Sequence, residues 1–200
     1  VLVLAEQRLE QDIQQLARSI LRHGVTHTLC LPSLYAAVLA YADSAMLQTL
    51  RLVILAGEPL PRSLLQQHRR LKTDTALHNE YGPTEASVWC CAYDTHAHDF
   101  DVPLPIGRPV AIARIYILDR HHQPVAVGTP GEIHIAGEGV AGGYLNKPDA
   151  TAQKFISLKL DGREERLYKS GDLGRYREDG NIEFLGRVDR QIKLRGYRIE

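Results

Sequence analysis

Hydrophobic positions in the first hundred residues follow two different spacings. Between residues 9 and 21 the apolar side chains recur every three or four positions, which predicts an amphipathic helix that ends near Gly24. Continuous apolar runs follow, of which LRLVILAG (residues 50–57) is typical of a strand covered on both faces. Helical segments at residues 33–42 and 61–72 alternate with these runs. This order predicts an α/β fold with a parallel sheet and flanking helices.

The pattern changes after about residue 100. Short alternating runs such as ARIYILD, GEIHIAG and NIEFLG are separated by Gly, Pro, Asp and Asn, which predicts strands joined by tight turns. One helix is predicted among them, beginning at Pro148 and Asp149. We therefore expect a small antiparallel, β-barrel-like subdomain to follow the parallel sheet.

Composition narrows the possible classes of protein. Lys and Arg together number 24, as do Asp and Glu, so no excess of positive charge indicates a nucleic-acid partner. The apolar runs are shorter than the roughly 20 residues that span a bilayer, so we expect no membrane association. Three cysteines (Cys30, Cys90 and Cys91) predict free thiols in a reducing compartment, hence a cytoplasmic location. The chain opens within a predicted strand at residues 1–5 and stops within an alternating run, as a piece of a longer chain would.

The stretch NEYGPTE, which begins at Asn79, carries more chemistry than a turn requires. Its Gly-Pro pair predicts a tight turn that leaves Thr84 and Glu85 side by side, a hydroxyl and a carboxylate suited to a phosphate and its Mg²⁺. Tyr81 offers an aromatic face, and Asn79 an amide that can recognise the edge of a base. A solvent-exposed turn without a function is the alternative.

Three later stretches carry weaker signals. In YKSGDL, Asp172 could accept hydrogen bonds from ribose hydroxyls, although an ordinary Asx turn explains it equally simply. The cation-rich residues 186–198 fit either a charged edge strand or a set of phosphate donors. The glycine-rich residues 137–144 contain no Lys-Ser/Thr pair and no helix directly after them, which argues against a phosphate-binding loop.

Together, YGPTE, GEIHIAGEGVAGGYL, YKSGDL and GRVDRQIKLRGYRIE, in this order, resemble the adenylate-forming superfamily, and most closely the adenylation domains of non-ribosomal peptide synthetases. The similarity extends over the whole chain. It implies an α/β part of the large adenylation subdomain at residues 1–100 and a β-rich subdomain at 101–187. Residues 188–200 would then form the hinge and the first strand of a truncated C-terminal lid.

The resemblance also implies the reaction. Such enzymes join an amino acid carboxylate to ATP, release pyrophosphate, and pass the aminoacyl group to a phosphopantetheine thiol. The implied cofactors are ATP, Mg²⁺ and the phosphopantetheine of a partner carrier domain, and the implied partners are peptidyl-carrier and condensation domains. The family's phosphate loop lies upstream and its lid lysine downstream, so residues 1–200 alone are expected to be inactive.

Three catalytic candidates follow from the resemblance. Glu85 would hold Mg²⁺, and Thr84 would contact the α-phosphate. Lys193 matches a motif lysine within the first lid strand and is distinct from the adenylation lysine further downstream.

The resemblance places a larger set of residues at the nucleotide. Tyr81 would stack on adenine with Phe184 on the other side, and Asp172 would hold the ribose hydroxyls with support from Arg187. The nucleotide-binding candidates are Gly57, Asn79, Glu80, Tyr81, Gly82, Asp172, Phe184 and Arg187.

A further set would surround the side chain of the amino acid substrate. These candidates are Leu29, Ile54, Ala56, Glu80, Val88 and Trp89. The apolar members favour a small apolar or cyclic amino acid such as proline, whereas Glu80 would suit a phenol hydroxyl. Asp189 falls at the family's hinge, with a simple turn residue as the alternative. Ser170 stands where threonine is usual and Gly142 where arginine is common, so no contact of that arginine is expected.

Two alternatives remain at this point. An acyl or aryl acid–CoA ligase of the same superfamily would share these motifs, and an aspartate in the substrate motif upstream would favour the amino acid instead. A non-catalytic nucleotide-binding relative would keep the fold alone, but the presence of Thr84, Glu85, Asp172 and Arg187 argues against it.

Overall fold

A computed structural model describes most of the 200 residues. The described ranges are 2–3, 12–70, 74–160, 162–189, 192–194 and 197–199. The strand predicted at residues 1–5 therefore lies largely outside the described residues. The chain divides into two compact units, the first made of Val1–Asn79, Asp94–Leu104 and Lys193–Arg198, and the second of Glu80–Tyr93, Pro105–Ile192 and Ile199–Glu200.

The first unit alternates helices and strands as predicted. Its elements are α1 (Ile13–Arg22), β1 (His27–Cys30), α2 (Pro32–Tyr41), α3 (Ser44–Leu47), β2 (Leu52–Leu55), α4 (Arg62–Arg70) and β3 (Ala76–Tyr81), the last two residues of β3 belonging to the second unit. β1, β2 and β3 pair in this order and in parallel. The predicted parallel sheet with flanking helices is confirmed.

Helix starts in this unit follow local capping chemistry. α1 begins after Asp12, whose carboxylate accepts a hydrogen bond from the Gln15 backbone N–H at 3.0 Å. α2 begins with Pro32, whose fixed φ suits the first helical position. The short helix α3 was not predicted, because four residues are too few to show a helical period. Asp43 caps it by accepting from the Met46 backbone N–H at 2.9 Å.

The core of the first unit lies on one face of β2. Val53 and Leu55 are fully buried there, whereas Leu52 and Ile54 on the other face are only partly covered. The prediction of a strand covered on both faces is therefore only half right. Packing of α1, α2 and α4 side chains against Val53 and Leu55 accounts for the unit's apolar core.

The second unit is built from antiparallel strands. Its elements are β4 (Cys91–Asp94, of which Asp94 belongs to the first unit), β5 (Arg108–Pro109), β6 (Ala113–Leu118), β7 (Gly131–Gly137), α5 (Pro148–Lys154), β8 (Phe155–Leu160), β9 (Arg163–Tyr176) and β10 (Ile182–Arg187). The main sheet has the order β6–β7–β9–β10, and β8 pairs with the first part of β9.

This sheet is open across the described residues, since β6 and β10 form its two ends and do not pair with each other. The predicted antiparallel subdomain is confirmed, but its barrel-like closure is not. Alternate residues of β6 and β7, such as Ile115, Ile133 and Ile135, bury one face of the sheet and form its core. Beyond β10, β11 (Ile192–Leu194) and β12 (Tyr197–Ile199) pair with each other. The division into subdomains and lid at residues 100 and 187 stays a prediction.

The three cysteines are unpaired, as the sequence predicted. All three cysteines are free thiols, with Cys90 and Cys91 buried and Cys30 partly covered. Among the described residues, no helix combines the length and the hydropathy that a bilayer crossing requires.

Candidate active site

β3 continues through Tyr81 and ends directly before the Gly82–Pro83 pair at which the turn was predicted. The chain then folds back, and the Cys90 N–H donates to the Tyr81 carbonyl at 2.8 Å. A Cβ at Gly82 would lie 2.5 Å from the Trp89 Cα, so only glycine fits this close approach. Next comes a single 3₁₀ turn, Thr84–Ala86, which carries the candidate metal ligand.

Glu85 is buried, with 7% of its surface exposed, and its carboxylate is held in place. Its Oε1 accepts a hydrogen bond from the Tyr144 hydroxyl at 2.7 Å, and its backbone carbonyl accepts from the Ala141 N–H at 2.9 Å. The neighbouring Thr84 is exposed. The fixed carboxylate of Glu85 and the exposed hydroxyl of Thr84 are hard oxygen groups of the kind that bind a hard metal cation and its phosphates.

These residues fit Mg²⁺ bound together with phosphates. Magnesium in nucleotide sites takes one or two protein carboxylates and completes its octahedron with phosphate oxygens and water. Accordingly, no group of three or more His, Cys, Asp or Glu side chains in the described part of the chain could hold a metal by itself. Glu85 is the one predicted metal ligand, and its surroundings suit a shared site of this kind.

Asp172, on β9, is the centre of a second polar cluster. Its Oδ2 accepts from the Tyr81 hydroxyl at 2.5 Å, and its Oδ1 accepts from Arg187 Nη1 at 2.5 Å. Burial raises the pKa of Tyr81 well above its ordinary value, and the Asp172 charge raises it further. Tyr81 therefore stays a neutral donor over the whole physiological pH range. Residues that are 91 positions apart in sequence thus meet in the structure.

Arg187, at the end of β10, links this cluster to Asp189. Its Nε and Nη2 donate to the two Asp189 carboxylate oxygens at 2.7 and 2.8 Å, a bidentate pair. These hydrogen bonds, together with the Asp172 charge, raise the pKa of Arg187. The predicted hinge residue is thus tied to the predicted ribose-binding group through one guanidinium.

The irregular stretch of β9 before Asp172 is held by hydrogen bonds to β7. The Ser170 hydroxyl donates to the Ile133 carbonyl at 2.6 Å and accepts from the Asp172 N–H at 3.0 Å. The Gly171 N–H donates to Glu132 Oε1 at 3.1 Å. Gly171 has φ +74°, and a Cβ there would lie 2.7 Å from Arg187 Nη2. A serine hydroxyl is sufficient for this stretch of β9, so the departure from threonine costs none of these contacts.

Aromatic rings lie beside the Asp172 cluster. The centroids of Tyr81 and Phe184 are 6.3 Å apart, with the ring planes inclined at 41°. Phe184 is partly exposed on β10. The structure thus brings together Tyr81, Asp172, Phe184 and Arg187 of the predicted nucleotide set.

Other predicted residues belong to the first unit. Leu29 on β1 and Ile54 on β2 are direct neighbours in the parallel register, and Ala56 follows β2. Leu29 is 48% exposed. Gly57 has φ +87°, and Asn79 is buried in β3. His78 pairs with Ile54 in the parallel register of β2 and β3.

The remaining predicted residues have varied settings. Val88 is 53% exposed and has φ +78°, an unusual conformation for a β-branched residue, directly after Ser87 with φ +56°. Trp89 is partly buried and lines a small cleft with Ala86 and Val140. Glu80 is partly buried at the end of β3. Lys193 lies in β11, and its side chain falls outside the described part of the chain.

Three residues with evident roles at these clusters were not predicted. Tyr144 holds Glu85, Glu132 holds Gly171, and Arg166 donates to the Ala141 and Gly142 carbonyls. Tyr144 could have been suspected, since it lies in one of the four motif stretches. Glu132 and Arg166 give no local signal, because their roles depend on strand pairing.

The sequence of this chain is similar to those of known proteins. The sequence pattern of the family described as AMP-binding enzyme matches residues 1–145. The chain belongs to this family. It is 43% identical to gramicidin S synthase 2 of Aneurinibacillus migulanus over 99% of its length, and 45% identical to tyrocidine synthase 2 of Brevibacillus parabrevis over 88%. The chain spans only 4% and 5% of the length of these two relatives.

Solved structures of proteins with adenylation domains are similar to this chain as well. An artificially fused adenylation–PCP di-domain non-ribosomal peptide synthetase from Klebsiella oxytoca superposes with a TM-score of 0.84 at 29% identity. The match covers 94% of this chain and 38% of that one. The resemblance to adenylation domains that the four motifs indicated is confirmed.

Proposed function

We propose that this chain is part of an enzyme that activates an amino acid with ATP, forming an aminoacyl-adenylate and pyrophosphate. The observation that carries the proposal is the cluster of Tyr81, Asp172 and Arg187, which presents a buried, oriented carboxylate next to two aromatic rings in an AMP-binding enzyme. The similar Klebsiella oxytoca structure is that of a non-ribosomal peptide synthetase, which favours an amino acid over the acyl or aryl acid of a CoA ligase.

Asp172 is suited to the ribose of ATP. A carboxylate offers about four lone-pair sites, and Tyr81 and Arg187 use two of them. Two neighbouring ribose hydroxyls can donate to the other two. Because Tyr81 and Arg187 fix the plane of the carboxylate, these acceptors are oriented before the nucleotide binds.

The adenine would lie against Tyr81 and Phe184, whose rings are already neighbours. Asn79, the Gly57 backbone and the segment of Glu80 and Gly82 would contribute polar contacts to the base. Arg187 would support the ribose, and Asp189 would act as the hinge that pairs with it.

Glu85 would hold Mg²⁺, and Thr84 would donate its hydroxyl to the α-phosphate. When bound, the ion neutralises charge on the phosphates. The substrate carboxylate then attacks the α-phosphorus, the bond to the pyrophosphate oxygen breaks, and an acyl-phosphate bond forms. The protein contributes position and electrostatic stabilisation, since no covalent enzyme intermediate is required. Lys193 would contribute a catalytic contact from the first strand of the lid.

The amino acid side chain would be met by Leu29, Ile54 and Ala56 from the parallel strands, with Glu80, Val88 and Trp89 as further candidates. Because most of these are apolar, a small apolar or cyclic amino acid such as proline is the preferred substrate. A phenol-bearing amino acid is the second choice, with Glu80 accepting a hydrogen bond from its hydroxyl.

The aminoacyl group would pass to the phosphopantetheine thiol of a peptidyl-carrier domain, with a condensation domain as a further partner. The Klebsiella oxytoca di-domain is an artificial fusion, but the similar protein PA1221 is a non-ribosomal peptide synthetase protein that contains adenylation and PCP domains, which supports a carrier partner for this chain. We propose that the enzyme works in the cytoplasm and needs neither nucleic acid nor membrane.

The test is amino-acid-dependent exchange of pyrophosphate into ATP by the full-length protein, with a panel of amino acids. Glu85→Gln is expected to lose about 2–4 kcal/mol of transition-state stabilisation, as when one preorganised electrostatic group is removed. Glu164→Gln, which changes an exposed glutamate of the same unit, is the matched control and should exchange at the parent rate. Exchange by Glu85→Gln at that same rate would refute the metal assignment.

A further inference from the structure

The glycine-rich residues 137–144 contact the candidate metal ligand, Glu85, directly. None of the predicted site residues lies in this loop. At the end of this loop, the Tyr144 hydroxyl donates to Glu85 Oε1 at 2.7 Å. The Tyr144 ring packs edge to face against Phe155, with centroids 5.5 Å apart. A tyrosine that packs as an aromatic and ends on a carboxylate has two contacts that fix its hydroxyl in space.

Two further hydrogen bonds join the loop to the segment that carries Glu85. The Ala141 N–H donates to the Glu85 carbonyl at 2.9 Å, and the Ser87 hydroxyl donates to the Gly139 carbonyl at 2.8 Å. A Cβ at Gly139 would lie 3.2 Å from the Ala86 carbonyl, so the two backbones are close. The carboxylate of Glu85 and its backbone are thus held by the same loop.

Arg166 on β9 holds the loop from outside. Its Nη1 and Nη2 donate to the Ala141 and Gly142 carbonyls at 2.6 and 2.8 Å. Its guanidinium lies over the Phe155 ring, 4.8 Å from the centroid, which is the ring that Tyr144 packs against. One arginine therefore fixes both the loop backbone and the aromatic contact of Tyr144.

We propose that Tyr144 is a positioning residue for the metal site, and that Arg166 keeps the loop in the conformation in which Tyr144 reaches Glu85. This inference rests on the proposed function, in which Glu85 binds Mg²⁺. The phenol engages one oxygen of the carboxylate and sets its orientation, while the lone pairs that remain on the group can face the cation. Donors that hold a ligating group in this way commonly change metal affinity when they are removed.

Manganese is the probe, because Mn²⁺ replaces Mg²⁺ at oxygen ligands and free Mn²⁺ is counted by electron paramagnetic resonance. We would titrate the full-length protein with Mn²⁺ in the presence of ATP, and measure ATP binding without metal in parallel. Tyr144→Phe is expected to weaken Mn²⁺ binding about tenfold, in the range found when such a donor is removed. Metal-free ATP binding should stay at the parent value.

Tyr176→Phe is the matched control. Its hydroxyl donates to the Ile115 carbonyl at 2.9 Å in the same unit, so the substitution removes one comparable hydrogen bond away from Glu85. It should leave Mn²⁺ affinity unchanged. Equal Mn²⁺ affinities in the two tyrosine variants would overturn the proposal.

Two further variants complete the design. Arg166→Gln keeps Tyr144 and Glu85 and should weaken Mn²⁺ binding in the same direction, by a smaller factor; it decides the question if Tyr144→Phe does not fold. Unchanged Mn²⁺ affinity in Arg166→Gln would then count against the proposal.

If Glu85→Gln also binds Mn²⁺ at parent affinity, the metal assignment fails. If only Glu85→Gln loses Mn²⁺, the assignment stands and the role of Tyr144 is wrong.

Discussion

The two units of this chain are stabilised in different ways. In the first, the described core is a set of mostly aliphatic side chains around Val53 and Leu55. An ion pair of this unit, Arg62 with Asp101, spans 3.9 Å, and the aspartate side chain is 96% exposed. In the second, arginines pair at close range with carboxylates that are largely buried. These pairs are Arg114–Glu165, Arg175–Glu183, Arg177–Glu183 and Arg187–Asp172.

This difference indicates that the ion pairs of the second unit orient side chains more than they stabilise the fold. An exposed ion pair contributes little to stability, and a buried one roughly offsets its own desolvation, so the pairs of the second unit are better explained by the directions they impose. The candidate metal ligand Glu85 and the candidate ribose-binding residue Asp172 both belong to that unit. The first unit supplies a packed sheet whose exposed face carries Leu29 and Ile54.

The largest effect is expected from the apolar core. Leu55→Ala should destabilise the first unit by about 2–5 kcal/mol, because a fully buried leucine leaves a cavity. Hydrogen exchange of the peptides from β1 to β3, followed with denaturant in the full-length protein, measures this loss. The control Leu145→Ala, at a position 89% exposed in the second unit, should change local stability by less than about 0.5 kcal/mol. A similar small change for Leu55→Ala would mean that β2 is not the centre of the core.

An intermediate effect is expected from the polar cluster. Arg187→Gln removes a charged hydrogen bond worth about 1.5–3 kcal/mol, and should weaken ATP binding about tenfold or more because Asp172 loses its orientation. Calorimetric titration with ATP measures it.

The comparison for this substitution is Arg114→Gln. It removes a bidentate partner of the buried Glu165, at 2.7 and 3.0 Å, in the same sheet. ATP affinity should stay unchanged in that variant although the sheet is weakened. A parallel loss of ATP affinity in both variants would show that the arginines act through stability alone.

The smallest effect concerns pH. His68 on α4 donates from Nε2 to the Thr75 carbonyl at 2.9 Å and accepts at Nδ1 from the Tyr35 hydroxyl at 2.8 Å. Burial lowers its pKa below 6.5, and Arg69 lowers it further against the opposing Thr75 hydrogen bond. The unfolded state therefore binds a proton that the folded state does not.

The stability that His68 contributes is thus complete above about pH 6.5 and declines as the pH falls below it, at a slope of at most about 1.4 kcal/mol per pH unit. Hydrogen exchange of β3 peptides between about pH 7 and 5, corrected for the intrinsic exchange rate, measures it. His68→Gln, which can keep both hydrogen bonds without titrating, should flatten the slope, whereas His23→Gln at an exposed site should not. An unchanged slope in His68→Gln would assign the acid sensitivity to other groups.

Much of the fold could be predicted from the sequence, since apolar periodicity and turn residues are local signals. They gave the strand–helix order of the first unit and the antiparallel strands of the second. Closure of the second sheet was not predictable, because whether the ends of β6 and β10 meet depends on twist and register. The end of β3 at Tyr81 agrees with the Gly82–Pro83 pair that follows it, which is another local turn signal.

For the candidate site too, contacts that depend on strand pairing could not be predicted from the sequence. Motif resemblance brought Tyr81, Asp172 and Arg187 into one expected site, and the structure joins them by hydrogen bonds. The contact of Tyr144 with Glu85 spans 59 positions and has no spacing that would reveal it. Arg166 and Glu132 look like ordinary charged residues of exposed strands until their partners across the sheet are known.

The long strand β9 has a consequence for how related or engineered sequences can differ in length. It carries Arg166, which holds the loop of Tyr144, and six positions later Asp172, at most roughly 20 Å away along an extended chain. Adding or removing one residue between them would change the register in which β9 pairs with β7 and β8, and one of the two side chains would lose its present partners. Insertions, deletions and recombination crossovers that preserve both contacts belong instead in the turn between β9 and β10, at residues 177–181.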